Sequence, residues 1–67
     1  MDDELEVQYE GKVVGWIAQG GYGWMFCLPH EKYGRTFWMP FFGACGGVKN
    51  ADQARACVIE FVRRSKK

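Results

Sequence analysis

The sequence predicts an α+β domain in which a three- to four-stranded antiparallel sheet packs on one C-terminal helix, in the order β-β-β-α. Three observations predict it. Residues 5–9 alternate apolar and polar, the middle of the chain holds short apolar stretches between Gly-rich turns, and residues 51–62 carry an apolar stripe with helical spacing. A chain of 67 residues has room for one domain, which buries only about 60% of its unfolded surface.

The first strand is predicted over the alternating residues 5–9. Glu10-Gly11 can form a tight turn after it, because Gly supplies the positive φ that a two-residue hairpin needs. Residues 13–18 are the second apolar stretch. They either pair with the first strand or continue it through a bulge at Gly11, and the sequence leaves both arrangements open.

Two further strands are predicted at 24–28 and 35–42, after a Gly-rich turn at 19–23 and a polar loop at 30–34. Pro40 cannot donate a hydrogen bond to a neighbouring strand. The strand at 35–42 is therefore expected to lie at a sheet edge or to end at this proline.

The helix follows a Gly-rich loop at 43–47. Asn50 is a favourable N-cap residue, and Gln53 three positions later completes a capping box. Asp52 and the basic C-terminal residues suit the two ends of the helix dipole. The stripe expected to face the sheet consists of Ala51, Ala54, Cys57, Val58, Phe61 and Val62.

Both faces of the predicted sheet are apolar, although one helix can cover only one of them. Trp24, Phe26 and Leu28 share a face of their strand, and Met25 and Cys27 share the other. The strand at 35–42 repeats this two-sided pattern, with Phe37, Met39 and Phe41 on one face and Trp38, Pro40 and Phe42 on the other. Either loops or the first strand fold over the second face, or the two faces belong to a strongly curled sheet, or another chain covers the second face. We favour another chain, because interface cores are rich in Trp, Tyr, Phe and Met.

Charge is segregated along the chain, although the net charge is only +1. The first ten residues contain five acids and no base, and the last five contain four bases. We expect a flexible acidic tail at 1–3, one domain at 4–64 and a basic tail at 65–67.

No segment is apolar for long enough to cross a membrane. The acidic start is unlike a secretion signal, and three cysteines indicate free thiols in a cytoplasmic protein.

Candidate catalytic and metal-binding groups are few. Cys27 and His30 have a plausible metal-ligand gap, but Cys45 and Cys57 do not form the second paired motif that a zinc site needs. Cys45 precedes the helix, where a thiolate is favoured, but a base and an orienting carboxylate would still have to be found. We therefore expect no enzymatic activity, no metal and no cofactor.

One resemblance to a known family covers about two-thirds of the chain. Its points of likeness are Gly23-Trp24-Met25-Phe26, Gly34-Arg35-Thr36-Phe37-Trp38, Phe42-Gly43 and Ala51-Asp52-Gln53-Ala54-Arg55-Ala56. Because of these runs, the stretch of residues 22–62 resembles small β-β-β-α domains of the AP2-like and integrase arm-binding type. The resemblance implies a three-stranded sheet that enters the DNA major groove, with the helix packed behind it. The chain is also similar in style to small phage and prophage accessory proteins, many of which bind and block a host protein.

The sequence therefore predicts a non-enzymatic protein-binding module, such as a phage-type inhibitor or accessory factor, that acts through an exposed aromatic sheet face. Its partner is another protein or a second copy of the chain in a homodimer. The residues expected to contact the partner are Trp16, Trp24, Trp38 and Phe42. The alternative is a nucleic-acid-binding domain, in which phosphates contact Lys12, Arg35, Arg63, Arg64 and Lys66.

Overall fold

The structure, a computed structural model, describes residues 4–21, 23–41 and 47–65. It confirms the predicted fold class, with a four-stranded antiparallel sheet, a short two-stranded hairpin and one C-terminal helix. In chain order the elements are β1 (Leu5–Tyr9), β2 (Lys12–Gly20), β3 (Gly23–Cys27), β4 (Pro29–His30), β5 (Gly34–Arg35), β6 (Met39–Pro40) and α1 (Ala51–Ser65). No helix within these three ranges is long and apolar enough to cross a membrane.

The four-stranded sheet has the strand order β1-β2-β3-β6. β1 and β2 form a hairpin, which settles the question of how residues 5–18 are arranged. Glu10 and Gly11 both have positive φ angles, of 54° and 79°, as a type I′ hairpin turn requires. The irregularity in the pairing lies between Val7 and Gln8 rather than at Gly11.

β2 pairs with β3 over five residues, and the pair Gly20–Gly23 closes the turn predicted at 19–23. In the middle of β2, Gly15 lies directly under the helix. A Cβ atom at this position would lie 3.0 Å from the backbone oxygen of Cys27 and 3.1 Å from Cγ1 of Val58. The absence of a side chain at Gly15 therefore lets the helix approach the sheet closely.

The prediction of one continuous strand over 35–42 is wrong. β5 ends at Arg35, residues 36–38 are irregular, and β6 pairs with β3 only at Met39 and Pro40. The backbone N–H of Thr36 donates to the oxygen of Leu28 at 2.8 Å, so the chain turns back onto the end of β3 instead of extending along it. Residue 42 and the loop at 43–46 lie outside the described residues.

The helix begins where its cap predicts. The backbone N–H of Gln53 donates to Oδ1 of Asn50 at 2.9 Å. Oε1 of Gln53 accepts from the backbone N–H of Lys49 at 2.8 Å, one residue earlier than in a standard capping box. Two N–H groups at the helix start thereby acquire side-chain acceptors.

The core lies between the helix and one face of the sheet. Val7 and Ile17 from the sheet and Ala54 and Val58 from the helix are buried and form its centre. Phe61 was expected to belong to the buried stripe, but it is 52% exposed near the end of the helix. The surrounding half-buried residues include Val14, Trp24, Phe26, Leu28, Phe41, Ile59 and Val62.

Candidate functional site

The face of the sheet that points away from the helix is here called the second face. Residues that pair directly across antiparallel strands point to the same side, so the register identifies its members. One row across the strands is Glu6, Trp16 and Cys27, and the next is Ala18, Met25 and Pro40. Cys27 and Ala18 are fully buried although the helix lies on the other side of the sheet. Another part of the chain must therefore cover them.

The cover includes a short arm, defined here as residues 29–35, which contains β4, its turn and β5. Arg35, at the end of the arm, places its guanidinium carbon 5.2 Å from the ring centre of Trp16 and 5.9 Å from that of Trp38. Its Nη1 donates to Oε2 of Glu4 at 3.0 Å. The guanidinium thus lies near two indole rings and is paired with a carboxylate. These contacts hold the arm against the sheet.

Two pKa shifts follow from this packing. The hydrogen bond to Glu4 raises the pKa of Arg35 above its already high usual value. Burial raises the pKa of the Cys27 thiol, and the nearby charge of Arg35 opposes the rise only in part. The thiol of Cys27 is thus buried and protonated, which is unfavourable for a nucleophile or a metal ligand.

Thr36 closes the base of the arm. Its Oγ1 accepts from the backbone N–H of Leu28 at 3.0 Å, and its hydroxyl donates to the oxygen of Phe37 at 3.3 Å. Together with the bond from its own N–H to the oxygen of Leu28, Thr36 ties the chain after the arm to the chain before it.

The most exposed large apolar side chain lies directly after this closure. Phe37 is 92% exposed, between Thr36 and the half-buried Trp38. At the tip of the arm, Tyr33 is 71% exposed and its ring centre lies 5.1 Å from that of His30. The arm and the segment that follows it therefore carry the two most exposed aromatic rings of the described chain.

The residues expected to contact a partner are divided between the two faces. Trp16 and Trp38 lie together around Arg35 on the second face and are half-buried. Trp24 lies on the opposite face, where it packs against the core under the helix. Phe42 lies outside the described residues. None of these placements tests partner binding, so the assignment stays a prediction.

Sequence reasoning missed Phe37 as a candidate contact residue. It placed Phe37 on one face of a continuous strand together with Met39 and Phe41. Because residues 36–38 are irregular, the alternation does not run through them, and Phe37 points into solvent while Phe41 packs on Phe26 at a ring distance of 4.6 Å. Pro40 gave no sign of the interruption, because it lies beyond residues 36–38 and is itself paired at the end of β6.

The bases proposed for nucleic-acid contact do not form one patch of unpaired charge. Arg35 is paired with Glu4. Arg63 and Arg64 are both paired with Glu60 on the helix, at 3.2 and 3.3 Å. Lys12 lies at the exposed β1–β2 turn, and Lys66 is outside the described ranges.

The candidate metal and catalytic groups are not brought together within the part of the chain that is described. No cluster of three or more His, Cys, Asp or Glu side chains occurs there. Nδ1 of His30 accepts hydrogen bonds from the backbone N–H groups of Lys32 and Tyr33, at 3.1 and 3.3 Å. Cys57 is disulfide-bonded, which corrects the expectation that all the thiols are free. Cys45 is not among the described residues.

An apolar groove of about 310 Å³ lies on the helix side, between the sheet and the last turns of the helix. Phe61 and Val62 form one wall, and Val14, Leu28 and Pro29 form the other. The groove is open to solvent.

Comparison of the chain with protein-family models, with curated proteins and with solved structures found no match. The resemblance to AP2-like and integrase arm-binding domains therefore stays a prediction that rests on the quoted runs of sequence.

Proposed function

We propose that this chain is a non-enzymatic protein-binding module, and that its contact surface combines the second face with Phe37 in the segment after the arm. The observation that carries the proposal is the 92% exposure of Phe37, next in the chain to the half-buried Trp38. Burying one phenylalanine side chain contributes about 1.5–3 kcal/mol. Because Phe37 stays exposed in the folded chain, this burial free energy does not contribute to folding. A partner with an apolar pocket that buries the ring would obtain it as binding free energy.

The residues of the second face fit the role of an interface platform. Met25 and Pro40 are direct cross-strand partners on the second face, next to the row that contains Trp16. Aromatic residues, Met and Arg are enriched where protein interfaces are buried. In this proposal Trp16 and Trp38 support the anchor and line its rim, whereas Trp24 stabilises the core.

Charge favours a protein over a nucleic acid on this surface. Glu6 is exposed on the second face, and Glu4 neutralises Arg35. Carboxylates at the edge of the surface would repel phosphates, and nucleic-acid binding depends on unpaired Lys and Arg. A nucleic-acid site is therefore the weaker alternative, and a steep salt dependence of binding would be its signature.

Site-specific photo-crosslinking in cells that express the protein tests the proposal. A photoreactive phenylalanine analogue is placed at position 37, and the matched control carries it at position 61, another exposed phenylalanine on the helix. We expect a discrete protein adduct from position 37 and none of the same mass from position 61. Excess unlabelled wild-type protein should suppress the adduct, whereas excess Phe37→Ala protein should not.

Each outcome of the crosslinking bears on the proposal. An adduct of twice the chain mass identifies a second copy as the partner, and an adduct of any other mass identifies a foreign protein. Equal adducts from both positions, or equal suppression by both competitors, would contradict the proposal. An adduct that nuclease treatment removes would support the nucleic-acid alternative instead.

The effect on the partner and the location in the cell belong to the same proposal. We propose that binding inhibits or assists the partner, as in a phage-type inhibitor or accessory factor. The activity of the crosslinked partner distinguishes inhibition from assistance. We also propose a cytoplasmic location, which cell fractionation tests. The disulfide at Cys57 is an observation against this location, because disulfides are rare in a reducing cytosol. Recovery of the protein in an oxidising compartment would overturn this part of the proposal.

A further inference from the structure

Thr36 holds the backbone on the N-terminal side of Phe37 through three hydrogen bonds. Its N–H donates to the oxygen of Leu28 at 2.8 Å, and its Oγ1 accepts from the N–H of Leu28 at 3.0 Å. The hydroxyl proton is then available for the oxygen of Phe37, at 3.3 Å. One hydroxyl thus serves as acceptor and donor at once, which its lone pairs and single proton allow.

Leu28 connects this closure to the rigid part of the molecule. Its side chain packs against the core cluster around Ile17 and Val58. The two-way bond between Leu28 and Thr36 therefore fixes the segment after the arm relative to the core, although the two residues lie eight positions apart in the chain.

Trp38 holds the other side of Phe37. Its ring lies 5.9 Å from the guanidinium carbon of Arg35, which in turn lies over Trp16 and pairs with Glu4. Phe37 is consequently placed between two held neighbours, while its own side chain is 92% exposed.

Fixing the backbone in the free protein changes the cost of binding. A flexible loop loses conformational entropy when a partner orders it, and that loss weakens binding. A segment that folding has already ordered does not incur this loss again. An anchor presented in this way lowers the entropic cost of binding for a protein partner that offers an apolar pocket to the ring.

We infer that Thr36 is a positioning residue of the contact surface, which presents Phe37 to an apolar pocket for one phenyl ring on a protein partner. This inference rests on the proposed function for its partner, but the positioning itself is a property of the free protein.

The test compares Thr36→Val with Thr36→Ser. Valine keeps the shape of threonine and removes the hydroxyl, whereas serine keeps the hydroxyl and removes the methyl group. In the free protein, ¹⁵N relaxation should give the Phe37 amide an order parameter of about 0.85 in the wild type and below about 0.6 in Thr36→Val. Thr36→Ser should restore the wild-type value.

Affinity for the partner captured through position 37 gives the second readout. Thr36→Val should raise Kd about tenfold, and Thr36→Ser should restore it, because the hydroxyl makes two of the three hydrogen bonds that order the segment. A Kd that does not change in Thr36→Val would overturn the role of Thr36 in binding.

The positioning can fail separately from the proposed function. An unchanged order parameter at Phe37 in Thr36→Val would overturn the positioning role, whether or not a partner is found. A loss of order in Thr36→Val without any partner at position 37 would instead reject the proposed function. If Thr36→Val does not fold, hydrogen exchange in the wild-type protein tests the positioning role instead. The bonds between Leu28 and Thr36 predict that the amides of both residues are protected from exchange. Unprotected amides would overturn the positioning role.

Discussion

The helix covers the first face of the sheet with apolar side chains, whereas the arm covers the second face with a guanidinium. Val58 and Ala54 meet Ile17 on the first face, and all three are almost completely buried. On the second face Arg35, whose side chain is 42% exposed, lies over half-buried rings. Apolar burial stabilises the fold at the first face, while the second face stays partly open to solvent. That difference makes the second face the more suitable one for a partner.

The largest expected effect comes from a change at the first face. Ile17→Ala removes a fully buried side chain from the centre of the core and should reduce the free energy of unfolding by about 2–5 kcal/mol. Urea denaturation measures this loss. The control Tyr33→Ala, at the exposed tip of the arm, should change the value by less than about 0.5 kcal/mol. Similar losses in both variants would mean that the core does not lie where the structure places it.

A smaller effect is expected from the matching change at the second face. Arg35→Gln removes the charge that pairs with Glu4 and lies near Trp16 and Trp38. We expect a smaller loss of thermal stability than in Ile17→Ala, because exposed ion pairs contribute little. Tryptophan fluorescence should shift to longer wavelength as water reaches the two indoles.

The control for this change is Arg63→Gln, whose guanidinium is also ion-paired, with Glu60 on the helix. It should leave the tryptophan emission where it is in the wild type. If Arg35→Gln unfolds the protein as readily as Ile17→Ala does, the two faces do not differ in the way described above.

The smallest expected effect comes from a site that belongs to neither cover, the β1–β2 turn. Glu10 has a φ of 54°, a conformation that asparagine tolerates better than glutamate. Glu10→Asn should therefore raise the free energy of unfolding by about 0.5–1 kcal/mol in urea denaturation. Gly11→Ala, at a φ of 79°, should lower it. A stabilising Gly11→Ala would show that the turn is not of type I′.

Local patterns were sufficient to predict the helix and the first strands. The helix begins after Asn50 because a capping side chain and an apolar stripe lie in the same short segment. The alternation over residues 5–9 likewise predicts β1, whereas the choice between a hairpin and a bulge at Gly11 was left to the structure, which shows the hairpin. Each of these signals acts between residues that are close together in the chain, which is why one sequence reveals them.

The candidate site could be predicted only in part. A two-sided apolar sheet was visible in the sequence, and so were the aromatic residues. The sequence could not show that Trp24 faces the helix while Trp16 faces the arm, because strand register depends on pairing with other strands. Nor could it show that residues 36–38 leave the strand, because Thr36 forms its bonds with Leu28, eight positions away.

By itself, therefore, the sequence determined the β-rich α+β class, the helix with its cap, and the excess of aromatic residues over what one helix can cover. Only the tertiary structure decided that the arm lies over the second face and that Phe37 is exposed. The physical reason is that these features depend on contacts between distant positions, such as the ion pair of Arg35 with Glu4, 31 residues apart. Propensity and periodicity describe neighbours in the chain, and they carry no information about which distant side chains meet.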